Sequence, residues 1–378
     1  MAPSPPSLTI GVEEEYLLVD AETGDLAVDP PEEVLDTCIK ELGDCVSHEF
    51  LRAQIEVGTK VCGSMAEVRE DLRRLRAGVC DVASRYGLAP LAVSTHPYAN
   101  WQDQVHTHKD RYDGMAHDMQ AVIQRMLICG MHVHVGVEDE DFRIDVLNQA
   151  RYFLPHLLCL TTSSPFWQGR DTGLKSYRLA VFDSLPRTGL PDPVPSWGEY
   201  QRMIAQMTSA GLIQDGTKIW WDIRPSARYP TVELRICDVC TRLEDCIAVA
   251  ALYRCIVSLL ARLRATNQRW REYSNMLIDE NRWLAQRYGT EAKLVDFGKR
   301  SLVPLADLVD ELAVLVREDA EALDCVAEIE HACMIAREGT SADRQLALFK
   351  QAERGGEARD VFRPIIDQLK RETVADTI

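Results

Sequence analysis

The stretch Gly11-Val-Glu-Glu-Glu-Tyr-Leu-Leu-Val-Asp20 spaces its acidic side chains in a way that could bind cations. Successive side chains of a β-strand point to opposite faces, so Glu13 and Glu15 share one face. Two carboxylates about 4 Å apart repel each other by roughly 4 kcal/mol at an effective dielectric of about 20. We therefore expect solvent, arginines or a divalent cation to offset the repulsion. A wet acidic face on an edge strand is the alternative.

Three further segments alternate in the same way, with one apolar face and one face of metal-type or phosphate-type groups. Their polar pairs are Gln54/Glu56, His132/His134 and Glu233/Arg235. If these strands belong to one sheet, the polar faces line one acidic cavity. Clustered carboxylates away from bulk water are costly unless cations neutralise them. Mostly oxygen ligands favour Mg²⁺ or Mn²⁺, whereas several imidazoles would favour Zn²⁺.

The elements that position these groups follow from hydrophobic periodicity and turn residues. The pattern predicts strands over 8–20, 49–57, 88–94, 129–137, 217–224 and 231–236. Before residue 240 it predicts helices over 32–42, 64–86, 115–127, 140–164 and 196–210, with irregular loops over 98–114 and 169–195. After Asp238 it predicts helices alone, over 242–268, 275–287, 303–336, 341–353 and 357–375. Strands that precede a helical last third favour the α+β class.

Two apolar or charged runs have simple structural interpretations. The run Arg69 to Arg76 is typical of a solvated helix face. The apolar run Cys246 to Leu263 is interrupted by Arg254 and Arg262, which predicts a buried helix rather than a membrane span.

Composition limits the partners and the compartment. The formal net charge of −17 argues against nucleic-acid and anionic-membrane partners, but not against ATP bound with Mg²⁺. Residues 1–7 have no basic or apolar signal-peptide region, so we expect a frayed tail. Twelve scattered cysteines without a secretory signal indicate reduced thiols and a cytoplasmic protein.

Nucleotide binding cannot depend on the two common glycine-rich turns, since neither GxxxxGK[ST] nor GxGxxG occurs. A metal cluster on a sheet would have to hold a nucleotide instead. Arginine forks match phosphates and carboxylates. Those available for this role are Arg178, Arg187, Arg224 and Arg235.

Several motifs together carry a family resemblance. They are Gly11-Val-Glu-Glu-Glu-Tyr, Gln54-Ile-Glu-Val, Ser94-Thr-His-Pro, Gly130-Met-His-Val-His-Val-Gly-Val-Glu-Asp139, Trp220-Trp-Asp-Ile-Arg-Pro-Ser and Thr231-Val-Glu-Leu-Arg-Ile-Cys-Asp238. In this order they resemble the type-2 glutamate–cysteine ligase family, in particular its short bacterial branch of carboxylate–amine ligases. The resemblance implies a glutamine-synthetase-like fold. In that fold a curved, mainly antiparallel sheet forms a funnel for ATP and two or three Mg²⁺ (or Mn²⁺) ions, with helices on its outer face.

We therefore expect one catalytic domain over 8–378, with the funnel in 8–240 and a helical part in 241–378. The resemblance implies that ATP activates a carboxylate as an acyl phosphate, which an amine attacks to give an amide, by default a γ-glutamyl bond between glutamate and cysteine. The family's metal-ligand positions fall on Glu13, Glu15, Glu49, Glu56, His132 and Glu233. Glu13, Glu233 and Arg235 would act in catalysis.

Other residues are assigned to substrate or ATP binding. These are Arg178, Arg187, Arg224, His134 and His96, although either histidine could instead be a satisfied structural residue. Specificity would lie in the loops 98–114 and 169–195, and neither the carboxylate nor the amine can be read from the sequence.

Two other functions stay open at this point. One is a Zn²⁺- or Mn²⁺-dependent amide or ester hydrolase that uses His132, His134, Glu13 and Glu233. The other is a non-catalytic nucleotide-binding homologue. The apolar stripes of the last third belong to the core or to a subunit interface, so a homo-oligomer stays open too.

Overall fold

The eleven residues Ile10–Asp20 form β1, the central strand of a seven-stranded sheet. Sequence alternation sets its two faces, because Val12, Glu14 and Tyr16 are buried. Glu13 and Glu15 are half-buried on the opposite face. The computed structural model describes residues 5–107, 109–352, 358–375 and 377 of the 378-residue chain.

Within those ranges the strands after β1 are, in chain order, β2 (Val46–His48), β3 (Gln54–Gly58), β4 (Leu88–Leu91), β5 (Met131–Gly136), β6 (Phe166–Trp167), β7 (Arg170–Asp171), β8 (Thr188–Gly189), β9 (Trp220–Trp221), β10 (Ile223–Pro225), β11 (Thr231–Leu234), β12 (Lys293–Asp296) and β13 (Ser301–Pro304). The α-helices are α1 (Glu32–Leu42), α2 (Met65–Arg85), α3 (Asp110–Met119), α4 (Ala121–Gln124), α5 (Glu140–Ala150), α6 (Leu154–Cys159), α7 (Tyr177–Phe182), α8 (Trp197–Ser209), α9 (Leu243–Ala265), α10 (Asn275–Tyr288), α11 (Leu305–Leu315), α12 (Arg317–Ala322), α13 (Val326–Glu338), α14 (Ser341–Ala352) and α15 (Ala358–Val374).

The main sheet has the strand order β10-β11-β5-β1-β3-β2, and β4 pairs with the end of β1. Every pair in it is antiparallel. The predicted strand 49–57 is divided, because Glu49 lies in the connection between β2 and β3.

Helices cover one face of this sheet. α2 begins after Ser64, whose hydroxyl accepts a hydrogen bond from the backbone N–H of Glu67 and so caps the helix. The α9 residue Tyr253 donates its hydroxyl to the carbonyl of Val232 on β11. α9 is long and apolar enough to cross a membrane by composition, but most of it is buried in the fold. The prediction of a buried helix is confirmed.

The prediction that Arg69 to Arg76 is a solvated face is wrong at Arg76. Its guanidinium is fully buried and pairs with the Glu14 carboxylate, with Nε–Oε2 and Nη2–Oε1 distances of 2.9 and 2.6 Å. It also donates to the carbonyls of Cys240, Thr241 and Thr373. Glu14 lies far from Arg76 in sequence, so periodicity on α2 alone cannot reveal the pair.

Four other predictions need correction or fall partly outside the described residues. The last third is not purely helical, because β12 and β13 form an antiparallel hairpin. The predicted helix 303–336 is three helices, α11 to α13, and Asp324 between the last two has a left-handed φ of 51°. The loop 169–195 contains α7. Of the predicted tail, residues 1–4 lie outside the described residues, and the backbone N–H of Ser7 donates to Glu138.

Candidate active site

Strand register brings the predicted polar pairs together on the sheet face opposite α2. Glu15 on β1 lies directly across from Glu56 on β3. Glu13 lies across from His132 on β5. In the next row, Glu233 on β11 lies between His134 and Arg224.

These residues line a cavity of about 600 Å³, within the usual size range of ligand sites. Ten predicted site residues contribute to its lining: Glu13, Glu15, Glu49, Glu56, His132, His134, Arg178, Arg224, Glu233 and Arg235. The expectation that one acidic cavity collects the four polar strand faces therefore agrees with the geometry.

One group of metal-type ligands consists of Glu13, His134 and Glu233, whose ligand atoms all lie within 4.8 Å of one another. His134 Nδ1 is 2.9 Å from Thr231 Oγ1, which fixes the ring. His134 Nε2 is buried without a hydrogen-bond partner and lies 3.5 Å from Glu13 Oε1. An unpartnered imidazole nitrogen held against a carboxylate is well placed to bind a cation.

The two histidines lie in different rows of the sheet face. The sequence predicts that His132 binds metal and that His134 binds substrate or ATP. Because His134 lies directly across from Glu233, it joins the ligand group, whereas His132 Nδ1 contacts Glu13 Oε2 at 3.1 Å. The strand alternation predicts both histidines on this face but cannot predict which one meets Glu233.

Neighbouring groups set the protonation states of the two carboxylates in the first group, Glu13 and Glu233. Burial alone would raise the pKa of Glu13, but the neighbouring imidazoles of His132 and His134 outweigh it and hold that pKa well below its ordinary value. Burial would likewise raise the pKa of Glu233, and the charges of Arg235 and Arg224 hold it far below. Both carboxylates are therefore ionised at neutral pH.

A second group consists of Glu15, Glu49 and Glu56, whose ligand oxygens also lie within 4.8 Å of one another. The backbone N–H of Gly130 donates to Glu15 Oε2 at 2.7 Å, and Ser47 Oγ donates to Glu56 Oε1 at 2.6 Å. Burial and the charge of Glu56 raise the pKa of Glu15 to about 7. Burial and the charges of Glu15 and Glu56 raise the pKa of Glu49 well above its ordinary value.

Both groups fit divalent cations. In the second group the carboxylates raise one another's pKa because no positive partner lies among them, and a bound cation would supply one. In the first group the available ligand atom is the unpartnered His134 Nε2 beside Glu13. The donor set is mainly oxygen with imidazole, which suits Mg²⁺ or Mn²⁺ better than a purely nitrogen and sulfur set would.

The arginines in the cavity are held in different ways. Arg224 donates two hydrogen bonds to the Glu233 carboxylate, from Nε to Oε2 at 2.8 Å and from Nη2 to Oε1 at 3.1 Å. Arg235 donates Nη1 to the same carboxylate, while its Nε is buried without a partner. Arg178 donates to two main-chain carbonyls instead, those of Arg235 and Ile236.

Two predicted residues are not brought to the cavity lining. Arg187 donates Nε to the carbonyl of Lys218 and lies over the Trp220 ring, 5.2 Å from its centroid. His96 is buried, with Nε2 3.0 Å from the Gly24 carbonyl and Nδ1 accepting from the backbone of Ala99. For His96 the structural alternative fits, because both ring nitrogens are satisfied by main chain.

Sequence reasoning missed an apolar part of the cavity. Tyr112 lies in the predicted loop 98–114, but Met115, Ile123 and Met126 of the α3–α4 segment also line the cavity. On the other side, Trp220, Arg228 and Tyr229 contribute. Trp220 begins one of the family motifs, but no local pattern marks Met115, Ile123 or Met126, because their position in the lining depends only on where the fold places them.

Comparison with solved structures identifies the fold. A glutamate–cysteine ligase from Francisella tularensis in complex with AMP matches with a TM-score of 0.68 at 16% identity, over 98% of this chain and 93% of that one. A bifunctional glutathione synthetase from Pasteurella multocida matches with a TM-score of 0.68 at 13% identity, over 97% of this chain and 52% of that one. The predicted glutamine-synthetase-like α+β fold is confirmed.

Together with a family match over residues 9–364, the fold and the acidic cavity define an ATP-dependent ligase that forms carbon–nitrogen bonds. More narrowly, the chain belongs to glutamate–cysteine ligase family 2, whose family model matches residues 9–364. A Rhodospirillum rubrum protein with the provisional name glutamate–cysteine ligase 2 is 57% identical over 98% of this chain and 96% of its own length. A Jannaschia protein with the same provisional name is 54% identical over 97% of both chains. The ligase prediction is confirmed, and the hydrolase alternative is set aside.

Proposed function

We propose that the chain joins a carboxylate to an amine through an acyl phosphate made from ATP. The observation that carries this proposal is the pair of adjacent ligand groups on one sheet face, Glu13/His134/Glu233 and Glu15/Glu49/Glu56, with Arg235 beside them. Two neighbouring cation sites next to an arginine suit the transfer of a phosphoryl group.

The reaction needs two steps because a carboxylate is a poor electrophile. In the first, a carboxylate oxygen attacks the γ-phosphorus of ATP and ADP leaves. In the second, the amine nitrogen attacks the acyl carbon, phosphate leaves, and the amine loses a proton. The products are an amide, ADP and inorganic phosphate.

The residues of the two groups would hold two or three Mg²⁺ or Mn²⁺ ions, with His132 supporting Glu13. Such ions neutralise phosphate charge when they are bound. Glu233 fixes Arg235 through the Nη1 bond and leaves Nε of Arg235 available. Arg235 would therefore face the phosphoryl group or the carboxylate that receives it.

The substrates follow from the names of the relatives. Glutamate as the carboxylate and cysteine as the amine are our first assignment, which would give a γ-glutamyl bond, and another amine is the alternative. All twelve cysteines are free thiols, in agreement with a reducing cytoplasm.

The deciding experiment measures phosphate release from ATP and Mg²⁺ with glutamate and a panel of amines that includes cysteine. We expect release only when a carboxylate and an amine are both present. Glu13→Gln should abolish it, and Glu70→Gln, at an exposed position on α2, is the matched control. ATP hydrolysis that ignores the amine, or nucleotide binding without turnover across the panel, would contradict the proposal.

A further inference from the structure

A side chain at position 130 would not fit, and this is the reason that Gly130 suits the position. Its backbone does not need a conformation that only glycine adopts. Gly130 does not have a positive φ, so its backbone could carry any residue. It lies at the start of β5, forms a bridge to Asp238 on one side, and donates its N–H to Glu15 on the other. A Cβ at this position would lie 2.9 Å from Cζ and 3.0 Å from Nε of Arg178, and closer still to its Nη2. The three nearest atoms all belong to that guanidinium.

Arg178 occupies the space that a side chain at 130 would fill. Its side chain comes from α7, is 2% exposed, and has its Cζ 5.3 Å from the ring centroid of Phe182. Its Nη1 and Nη2 donate to the carbonyls of Ile236 and Arg235 at 3.2 and 3.3 Å. The guanidinium therefore joins the start of β5 to the main chain just beyond β11.

We propose that Gly130 is a positioning residue whose missing side chain seats Arg178 against the sheet, where Arg178 fixes the main chain that carries Arg235. Arg178 is then a positioning residue too, through its two Nη donors, although its Nε is buried without a partner and the sequence predicts substrate binding for it. The consequence for turnover rests on the proposed function, but the packing relation between the two residues does not.

A double-mutant cycle in melting temperature tests the packing relation without any activity assay. Gly130→Ala should lower the melting temperature of the wild type by several degrees. In an Arg178→Ala background the same change should have no further effect, because the atoms it would meet are gone. Equal losses in both backgrounds would overturn the proposal.

Two further variants keep the test decisive. If Gly130→Ala does not fold, the proposal requires that the double variant Gly130→Ala/Arg178→Ala folds and has the same melting temperature as Arg178→Ala. Arg178→Leu, which keeps an apolar stem near Phe182, is the second background if Arg178→Ala is itself unfolded, and failure of Gly130→Ala there would overturn the proposal. Gly11→Ala is the matched control on β1, since its Cβ would meet only Thr59 Oγ1 at 3.8 Å.

Kinetics separate positioning from substrate contact. Gly130→Ala and Arg178→Ala should each lower kcat by about 10- to 100-fold, with the KM of the carboxylate substrate within a few-fold of wild type. A large rise in that KM at unchanged kcat would show that Arg178 contacts substrate and would overturn its positioning role. If the wild type shows no turnover, the proposed function has failed, and the melting cycle still decides the relation between Gly130 and Arg178.

Discussion

Glu233 binds Arg224 and Arg235 through different sets of hydrogen bonds, and this difference indicates different roles for the two arginines. Arg224 uses its fork on Glu233 and donates further to the carbonyl of Thr217, so its donors are engaged. Arg235 keeps Nε free beside the cavity. Of the two arginines on Glu233, Arg235 therefore has more unused donors to offer a phosphate or carboxylate.

Arg235→Lys should therefore lower kcat by about 10-fold or more, because lysine can pair with Glu233 or reach the substrate but has no fork to do both. The protein should stay folded, since Arg224 still neutralises Glu233. The measurement is phosphate release alongside a melting curve. Arg202→Lys, on the exposed face of α8, is the control. Equal kinetics for both variants would remove Arg235 from the reaction.

His96→Gln should change how stability depends on pH. Burial lowers the pKa of His96 to about 4, from an ordinary value of 6.5. A lowered folded-state pKa means that the stability from neutral His96 is complete above pH 6.5 and is lost as pH falls toward 4. The loss amounts to about 1.4 kcal/mol per pH unit. The destabilisation caused by His96→Gln, measured by denaturant unfolding, should thus be largest near pH 8 and shrink below pH 6.5. A constant difference would show that His96 is not held neutral.

At this scale the sequence predicts which residues share a face, because side chains alternate along a strand. It does not predict which residue lies across from which, because register depends on distant turns. The predicted cluster of glutamates and histidines therefore comes together, while the roles of His132 and His134 depend on the row in which each lies. Glu49 is assigned through the family resemblance alone, and it lies in the connection between β2 and β3, where strand alternation gives no information.

The main sheet brings several carboxylates close together on one of its faces. Glu15, Glu49 and Glu56 approach one another without a positive partner inside their group, and their mutual repulsion opposes folding of the cation-free protein. A bound divalent cation would stabilise the folded state, by about 2.7 kcal/mol at a hundred times its dissociation constant.

Mn²⁺ should accordingly raise the melting temperature of the wild type measured in chelator. Glu49→Gln removes a carboxyl group whose ionisation the folded protein opposes, so it should raise the melting temperature in chelator and reduce the shift that Mn²⁺ produces. Glu70→Gln should leave both values unchanged. If Glu49→Gln shows the full wild-type shift, Glu49 is not a cation ligand.

The elements themselves were predicted well where periodicity is long and strong, as in α2 and β1. The hairpin of β12 and β13 was missed because its strands are only four residues each and lie among long helices. The short helix α7 was missed because prolines and glycines surround it, although it carries Arg178 into the cavity.

Across the whole molecule, the buried pair of Glu14 and Arg76 joins parts of the chain that are far apart. Glu14 lies on β1 between two cavity glutamates, and Arg76 on α2 reaches the carbonyl of Thr373 on α15. Sequence alone could not predict this connection. Helical periodicity places Arg76 among other charged residues, which indicates a solvent-exposed position unless its distant partner Glu14 is known.

Arg76→Met should destabilise the fold by about 3–5 kcal/mol, since it leaves the Glu14 carboxylate buried without its partner. The double variant Arg76→Met/Glu14→Gln should recover part of that loss, because no unpaired charge remains. Arg73→Met, at a half-exposed position on the same helix, should change the free energy of unfolding by about 0.5 kcal/mol or less. Denaturant unfolding measures all three, and an additive double variant would contradict the pairing.

The central place of β1 also bears on how the chain is made. The strand that carries Glu13 and Glu15 is synthesised early, while its neighbour β5 and the ligand Glu233 on β11 come much later. Until β5 is made, the edge of β1 over Ile10 to Glu14 lacks the strand that covers it, and open strand edges on incomplete chains are prone to aggregate. We expect cation capture to be among the last events of folding, so that Mn²⁺ slows unfolding and leaves the refolding rate unchanged. Refolding accelerated by Mn²⁺ would show instead that the distant strands meet early.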